Sequence, residues 1–268
     1  MKNSCVILFS GGTDSMCAAA LAAKNFKHIH LLTFYEAATK NSPVPTDNVE
    51  KLKKHFPGNE FKHLIIETDA TLQKMCYENY LKNIFRFHFY NLATPGLSSL
   101  SWHIEAILYC KKNQIQYVFD GMTQELTHLP GHMKIIRNIF TVLYQKFEIS
   151  FSSEVIDFPV PPNQIYVEKL IVNQHGFFAD SRAEIVGMTT GKYLYELNLM
   201  PHPNVKGSQF DNKMQHDCYP YVVYNLLYFW LLPFFSNEIS VQKNLFKFFQ
   251  HKADVAFNHI NFKFNELY

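Results

Sequence analysis

The chain carries only 5 cysteines in 268 residues, Cys5, Cys17, Cys76, Cys110 and Cys218, and no two of them form a CxxC pair. An odd, dispersed set excludes a disulfide framework and points to reduced thiols in a cytoplasmic setting. Charge is equally sparse. Lys+Arg 25 against Asp+Glu 23 leaves a net charge of +2, so no strong field of either sign draws nucleic acid from a distance. Charged residues are 18% and hydrophobic residues 47%, which excludes a disordered chain or a coiled coil. The apolar run before Gly11 and Gly12 is too brief for a secretory signal core. The one membrane suspect, Tyr219 to Phe235, contains Pro220, Asn225 and Pro233 and falls short of the ~20 residues a span requires. A buried helix and no membrane contact are the expectation there. What the chain has in excess is aromatic, Phe 25 and Tyr 15, which predicts large packing surfaces.

Short β-rich runs alternate with helical stretches through the first two-thirds, the pattern of an open parallel sheet covered by helices on both faces. Strands are predicted at Val6–Phe9, His28–Tyr35, His63–Glu67, Gln116–Asp120 and Ser153–Phe158. Helices are predicted over Asp14–Lys24, Asp47–Phe56, Leu72–Phe89, Ser99–Lys112 and Met133–Gln145, with Pro95–Gly96 as a break. Beyond about Met200 the strands cease and the remainder reads as helical. The resulting expectation is an α/β fold of about five strands in residues 1–200, with an aromatic-rich helical extension over 201–268 packed on it.

The sharpest motif is Ser10-Gly11-Gly12-Thr13-Asp14-Ser15, directly after the first strand and opening a helix. Two adjacent glycines permit a tight turn, amides at the helix start point at an anion, and three hydroxyls add donors. Neither GxxxxGK[ST] nor GxGxxG is present here. Gly187 to Lys192 has the wrong spacing for a phosphate loop and reads as a turn. The competing reading of SGGTDS is a plain strand–helix turn with an N-capping side chain. Ligands of open parallel sheets lie outside the carboxyl ends of the strands. That rim holds Thr33 and Phe34, where related folds place a nucleotide base, and Gly121, followed by Thr123 and Glu125, where a ribose could come close.

The motif resembles the signature SGGxDS of the PP-loop ATP pyrophosphatases. The resemblance implies an adenine nucleotide alpha-hydrolase-like, Rossmann-like fold and a loop that holds the triphosphate of ATP. It also implies cleavage between the α and β phosphates and activation of a carbonyl or carboxylate acceptor as an adenylate. By resemblance Ser10, Gly11, Gly12, Thr13, Asp14 and Ser15 bind ATP, Asp14 and Ser15 serve catalysis, and Asp14 is the carboxylate for Mg2+. Within the group the chain is most similar to the 7-cyano-7-deazaguanine synthases. Ser181-Arg182-Ala183-Glu184-Ile185 is similar to their (T/S)KAE segment, which closes over the phosphates, with Arg182 in place of Lys.

That family places four zinc-binding cysteines farther on. Here Cys218 keeps one position, Tyr221 and Tyr224 occupy two others, and His202 falls near the fourth. Two tyrosines do not complete a tetrahedral zinc site, so the expectation is no zinc, with aromatic packing in its place; His175 and His216 are the remaining partial ligands. His128 and His132, around Pro130-Gly131, read as loop residues or acid–base groups. Two further readings stay open: sulfur transfer to a tRNA base, and a non-catalytic nucleotide-binding subunit. The aromatic C-terminal region would then dock a protein partner or a second copy of the chain.

Overall fold

The computed structural model describes residues 2–37, 44–124, 128–159, 187–205, 219–234 and 236–266. Five strands, β1 (Lys2–Leu8), β2 (Phe26–Tyr35), β3 (Glu60–Glu67), β4 (Tyr117–Asp120) and β5 (Ser150–Ser153), form one sheet in the order β3-β2-β1-β4-β5. Every pairing is parallel. The architecture is therefore the expected α/β, Rossmann-like one. Strand order reverses between β1 and β4, which opens a crevice at their carboxyl ends.

Cys5, Val6 and Ile7 of β1 are all fully buried, because the strand is central and both its faces are covered. One face packs α1 (Thr13–Ala22) and α2 (Thr46–His55) around Ile7, Phe9, Leu31 and Phe119. The alanine-rich α1 is buried nearly all round because α7 (Thr190–Glu196) covers its outer side. The other face carries α3 (Asp69–Tyr77), α5 (Thr94–Asn113) and α6 (Lys134–Gln145) around Val6, Leu32 and Val118. Two C-terminal helices, α8 (Tyr219–Leu226) and α9 (Glu238–Glu266), lie against α5, and α9 also contacts α3 and α6.

Four boundaries differ from the sequence expectation. The long helix predicted over 72–89 is two helices, α3 and α4 (Tyr80–Phe87), followed by a 3-10 turn His88–Leu92. Asn79 and His88 adopt positive φ there, and amides of Asn83 and Asn91 satisfy the carbonyls of Glu78 and His88 at the two interruptions. Pro95–Gly96 is not a break but the first turn of α5, where proline forfeits no intrahelical bond. Gly96 is demanded by packing, since a Cβ there would lie 2.3 Å from Phe249 and 2.6 Å from Pro130. The last strand is Ser150–Ser153, not 153–158, because its partner β4 ends where Asp120 pairs Ser153. Gly187–Lys192 is the start of α7 and not a turn alone: Thr189 caps it by accepting from Lys192 N at 3.1 Å.

The apolar run after Tyr219 also departs from a simple buried helix. It passes from α8 into a π-helical turn, Leu227–Leu231, and a 3-10 turn, Leu232–Phe234. Tyr224, Leu227 and Leu232 are buried, whereas Val222, Val223, Trp230 and Phe234 are exposed. Among the described residues no helix is long and apolar enough to cross a membrane.

Candidate functional site

The SGGTDS loop leaves β1 at the mouth of the crevice. Gly11 sits at φ 85°, and a Cβ there would lie 2.1 Å from the Pro45 ring, so only glycine meets both the left-handed backbone and the close approach. Asn48 of α2 donates to Gly11 O at 2.7 Å, fixing the loop from the other side. Ser15 braces it from within. Its hydroxyl accepts from Gly11 N at 3.1 Å, donates to Gly12 O at 3.0 Å, and lies 3.1 Å from Ser10 Oγ. Gly12 N in turn reaches Ser10 Oγ at 3.3 Å. The first i→i−4 bond of α1 runs from Met16 N to Gly12 O at 3.0 Å, so the amides of Thr13, Asp14 and Ser15 precede the helical ladder at the positive end of the helix dipole. The amides of Gly11 and Gly12 go to hydroxyls rather than into sheet or helix.

Asp14, half-buried in the first turn, accepts a hydrogen bond from Thr190 Oγ1 at 2.6 Å. Thr190 opens α7, which places a second helix start beside the loop. Gly121 follows β4. A Cβ on it would lie 2.4 Å from Ser15 N and 2.6 Å from Ser15 Cα. Its missing side chain thus admits the backbone of α1, and the strand and the loop are locked edge to edge.

The residues expected to face a base are placed differently from each other. Thr33 is buried, and its hydroxyl donates to Phe9 O at 2.7 Å and lies 2.8 Å from His63 Nε2. With that hydroxyl proton committed, His63 donates through Nε2; burial and the charge of Lys53 lower its pKa. The Phe34 ring lies on the opposite sheet face, stacked on Trp102 with centroids 6.3 Å apart. Thr123 is buried near β4's end. Arg182, Glu125, His175, His216 and Cys218 lie outside the described residues.

Two buried carboxylates at the same rim had no signal beyond their position after a strand. Glu36, just past β2, accepts from Ser98 Oγ and Trp102 Nε1 at 2.9 Å and from Thr68 Oγ1 at 3.4 Å. Burial raises its pKa, and those three donors hold the rise back. Asp120, ending β4, receives Arg137 Nη1 at 2.9 Å and Nη2 at 3.4 Å, and Met122 N at 3.1 Å. Asn48 belongs to no motif, and Thr190 sits in the Gly187–Lys192 segment that reads as a turn, so only the fold brings either of them to the loop.

His128 is more than a loop residue. Its Nε2 lies 3.0 Å from Asn225 Oδ1, and its ring meets Tyr228 and Phe229 at centroid distances of 5.7 and 5.1 Å. Burial lowers its pKa, opposed by the bond to Asn225. Among the described residues no group of three or more His, Cys, Asp or Glu is arranged to hold a metal ion.

Residues 4–78 match the family model described as "Queuosine biosynthesis protein QueC". The matched segment runs from β1 through α3 and contains the whole loop, so the resemblance expected from SGGTDS is met over that part of the chain. Among solved structures the chain is similar to "The crystal structure of predicted subunit of tRNA methyltransferase from Methanocaldococcus jannaschii DSM". Identity is 20% and the TM-score 0.35, over 59% of this chain and 70% of that one, a likeness too slight to carry an argument. No curated protein matches the chain significantly.

Proposed function

We propose that the chain is an ATP-dependent enzyme of the PP-loop type, which adenylates a carbonyl or carboxylate acceptor and releases pyrophosphate. The observation that carries this reading is the Ser10–Ser15 loop at the switch point of a parallel sheet, with Gly11 left-handed and the first amides of α1 ahead of the helical ladder. An anion held there meets amides and hydroxyls together, which stabilises the charge that grows on a departing pyrophosphate. The acceptor oxygen attacks the α-phosphorus, the bond to the bridging oxygen breaks, and pyrophosphate leaves along the loop. A nitrogen nucleophile then displaces AMP from the activated carbon.

Asp14 fits Mg2+, because this ion takes one or two carboxylates together with phosphate oxygens, and Asp14 is a carboxylate at the loop, oriented by Thr190. Mg2+ neutralises phosphate charge when bound. The chain's own part is to hold the loop amides, orient Asp14 and close the crevice along Gly121. Ser10, Gly11, Gly12, Thr13 and Ser15 form the phosphate cradle in this proposal, with the backbone of Thr33 and Phe34 at the end of β2 on the nucleoside side, Gly121 packed against the cradle, and Arg182 over the phosphates. Residues 1–200 are the ATP-binding part and 201–268 the extension packed on it.

Sulfur transfer is less well supported. Burial pushes the Cys5 thiol up to about 12 and the Cys76 thiol up to about 11, and Cys110 rises as well. Such thiols are poor nucleophiles near neutral pH.

The experiment is incubation of the protein with ATP, Mg2+ and ammonium, with either a 7-deazaguanine carboxylate or a small-molecule cell extract as acceptor source. AMP and pyrophosphate in equal amounts are expected, dependent on acceptor. Formation of ADP and phosphate instead would overturn the reading. ATP binding without turnover in both arms would replace it with a nucleotide-binding subunit.

A further inference from the structure

A cavity of about 660 Å³ lies between α4, the following 3-10 turn and α9, with Arg86, Phe87, Asn244, Lys247, His251 and Asp254 in its lining. None of these residues belongs to the loop or its crevice. The cavity holds more cations than carboxylates, with Asp254 its single acid against Arg86 and Lys247. Among the described residues neither Arg86 nor Lys247 has a carboxylate within salt-bridge reach, whereas Asp254 is paired with Lys146 at 3.8 Å. Arg86 is steadied by the Phe87 ring, its guanidinium carbon 5.0 Å from the centroid.

The backbone at this place is strained. His88 lies at φ 50° and ψ −130°, a conformation that is unfavourable for a non-glycine residue and persists only where surroundings enforce it. It turns the chain out of α4, and Phe87 and Tyr90 on either side of it contact α9. The Phe87 and His251 rings stack against each other in the cavity wall, with centroids 5.4 Å apart and planes 30° apart. Asn244 donates to Tyr90 Oη at 3.2 Å, and Gln250 adds a second amide at the rim.

We propose that this cavity binds a nucleoside phosphate, free or as one unit of an RNA strand, at a site separate from the ATP loop. Arg86 and Lys247 take the phosphate, for which a guanidinium and an ammonium are complementary donors. The amides of Asn244 and Gln250 read polar edges, and the half-buried His251 ring, backed by the buried Phe87, offers an aromatic surface for a flat heterocycle. The volume lies within the range of small-ligand sites and exceeds what inorganic phosphate alone would fill.

Calorimetric titration of the full chain with uridine monophosphate, uridine, inorganic phosphate and a 12-nucleotide oligouridylate tests this. Uridine monophosphate is expected to bind at least tenfold more tightly than uridine or phosphate. The double variant Arg86→Ala/Lys247→Ala should weaken it about 30-fold or more, Arg86→Lys only a few-fold, and Ser15→Ala not at all. Both replaced side chains are exposed, so a melting temperature within about 2 °C of the parent should confirm an intact fold. Tighter binding of the oligonucleotide than of the mononucleotide assigns the ligand to a strand, and equal binding assigns it to the free nucleotide. Loss of binding in Ser15→Ala, unchanged binding in the double variant, or no binding of uridine monophosphate would overturn the proposal. Because no acceptor or ATP turnover is involved, failure here leaves the adenylation reading untouched, and the reverse holds as well.

Discussion

Thr190 donates its hydroxyl to Asp14 Oδ1 at 2.6 Å across a sequence separation of 176 residues, so the proposed metal carboxylate is oriented by a helix that no local motif announces. A hydrogen bond to a charged group contributes about 1.5–3 kcal/mol. Thr190→Val keeps the shape and removes the donor. Acceptor-dependent pyrophosphate release should fall about tenfold or more, with Thr190→Ser close to the parent. An undiminished rate in Thr190→Val would remove this hydroxyl from the site.

Gly121 and Gly11 are constrained by different things, and alanine at each should reveal it. At Gly121 the new methyl meets the backbone of Ser15 at 2.4 Å, which no rotamer relieves, and overpacking of this kind costs about 1–3 kcal/mol or more. At Gly11 the obstruction is the Pro45 side chain, on a φ of 85°. Urea denaturation should show Gly11→Ala partly rescued by Pro45→Gly, with about 1–2 kcal/mol of left-handed strain left over. Gly121→Ala should gain nothing from that second change. Equal rescue of both would contradict the packing described here.

The β1–loop–α1 unit was legible because a buried strand, two glycines and an alanine-rich helix follow one another in the sequence, each by a local rule. The same holds for the alternation that gave five parallel strands. What was not legible depends on partners far along the chain. Gly96 looks like punctuation until Phe249 is seen against it. The interruptions on either side of α4 have neither proline nor glycine and rest on amide caps, from Asn83 before the helix and from Asn91 after it. At the site, Ser10–Ser15 could be read from six consecutive residues, but Asn48, Thr190 and the rim carboxylates Glu36 and Asp120 reach it only through the sheet order.

Asp120 and Arg137 form a buried ion pair at 2.9 Å at the crevice edge. Removing one partner strands a charge, at a cost of about 3–5 kcal/mol, whereas removing both often costs little. Arg137→Met should therefore lower stability strongly in chemical denaturation, and Asp120→Asn/Arg137→Met should recover most of the loss. A double variant as unstable as the single one would mean that the pair's packing against Phe151, whose ring centroid lies 5.6 Å from the guanidinium carbon, outweighs its charge.

His103 supplies the pH dependence. It is buried beneath α6, its Nδ1 3.0 Å from Tyr144 Oη, and burial pushes its pKa from 6.5 down to about 3, against a smaller upward pull from Asp120. The unfolded chain takes up this proton first, near pH 6.5, while the folded chain resists until about pH 3. Stability from this group is therefore complete above pH 6.5 and drains as pH falls between those values, at up to about 1.4 kcal/mol per pH unit. His30, His63 and His128 have lowered values too and pull in the same direction. His103→Gln keeps an amide for Tyr144 and has nothing to titrate. Urea midpoints measured at pH 7.5, 6 and 5 should fall less steeply in this variant than in the parent. Parallel slopes would place the acid sensitivity in the other histidines.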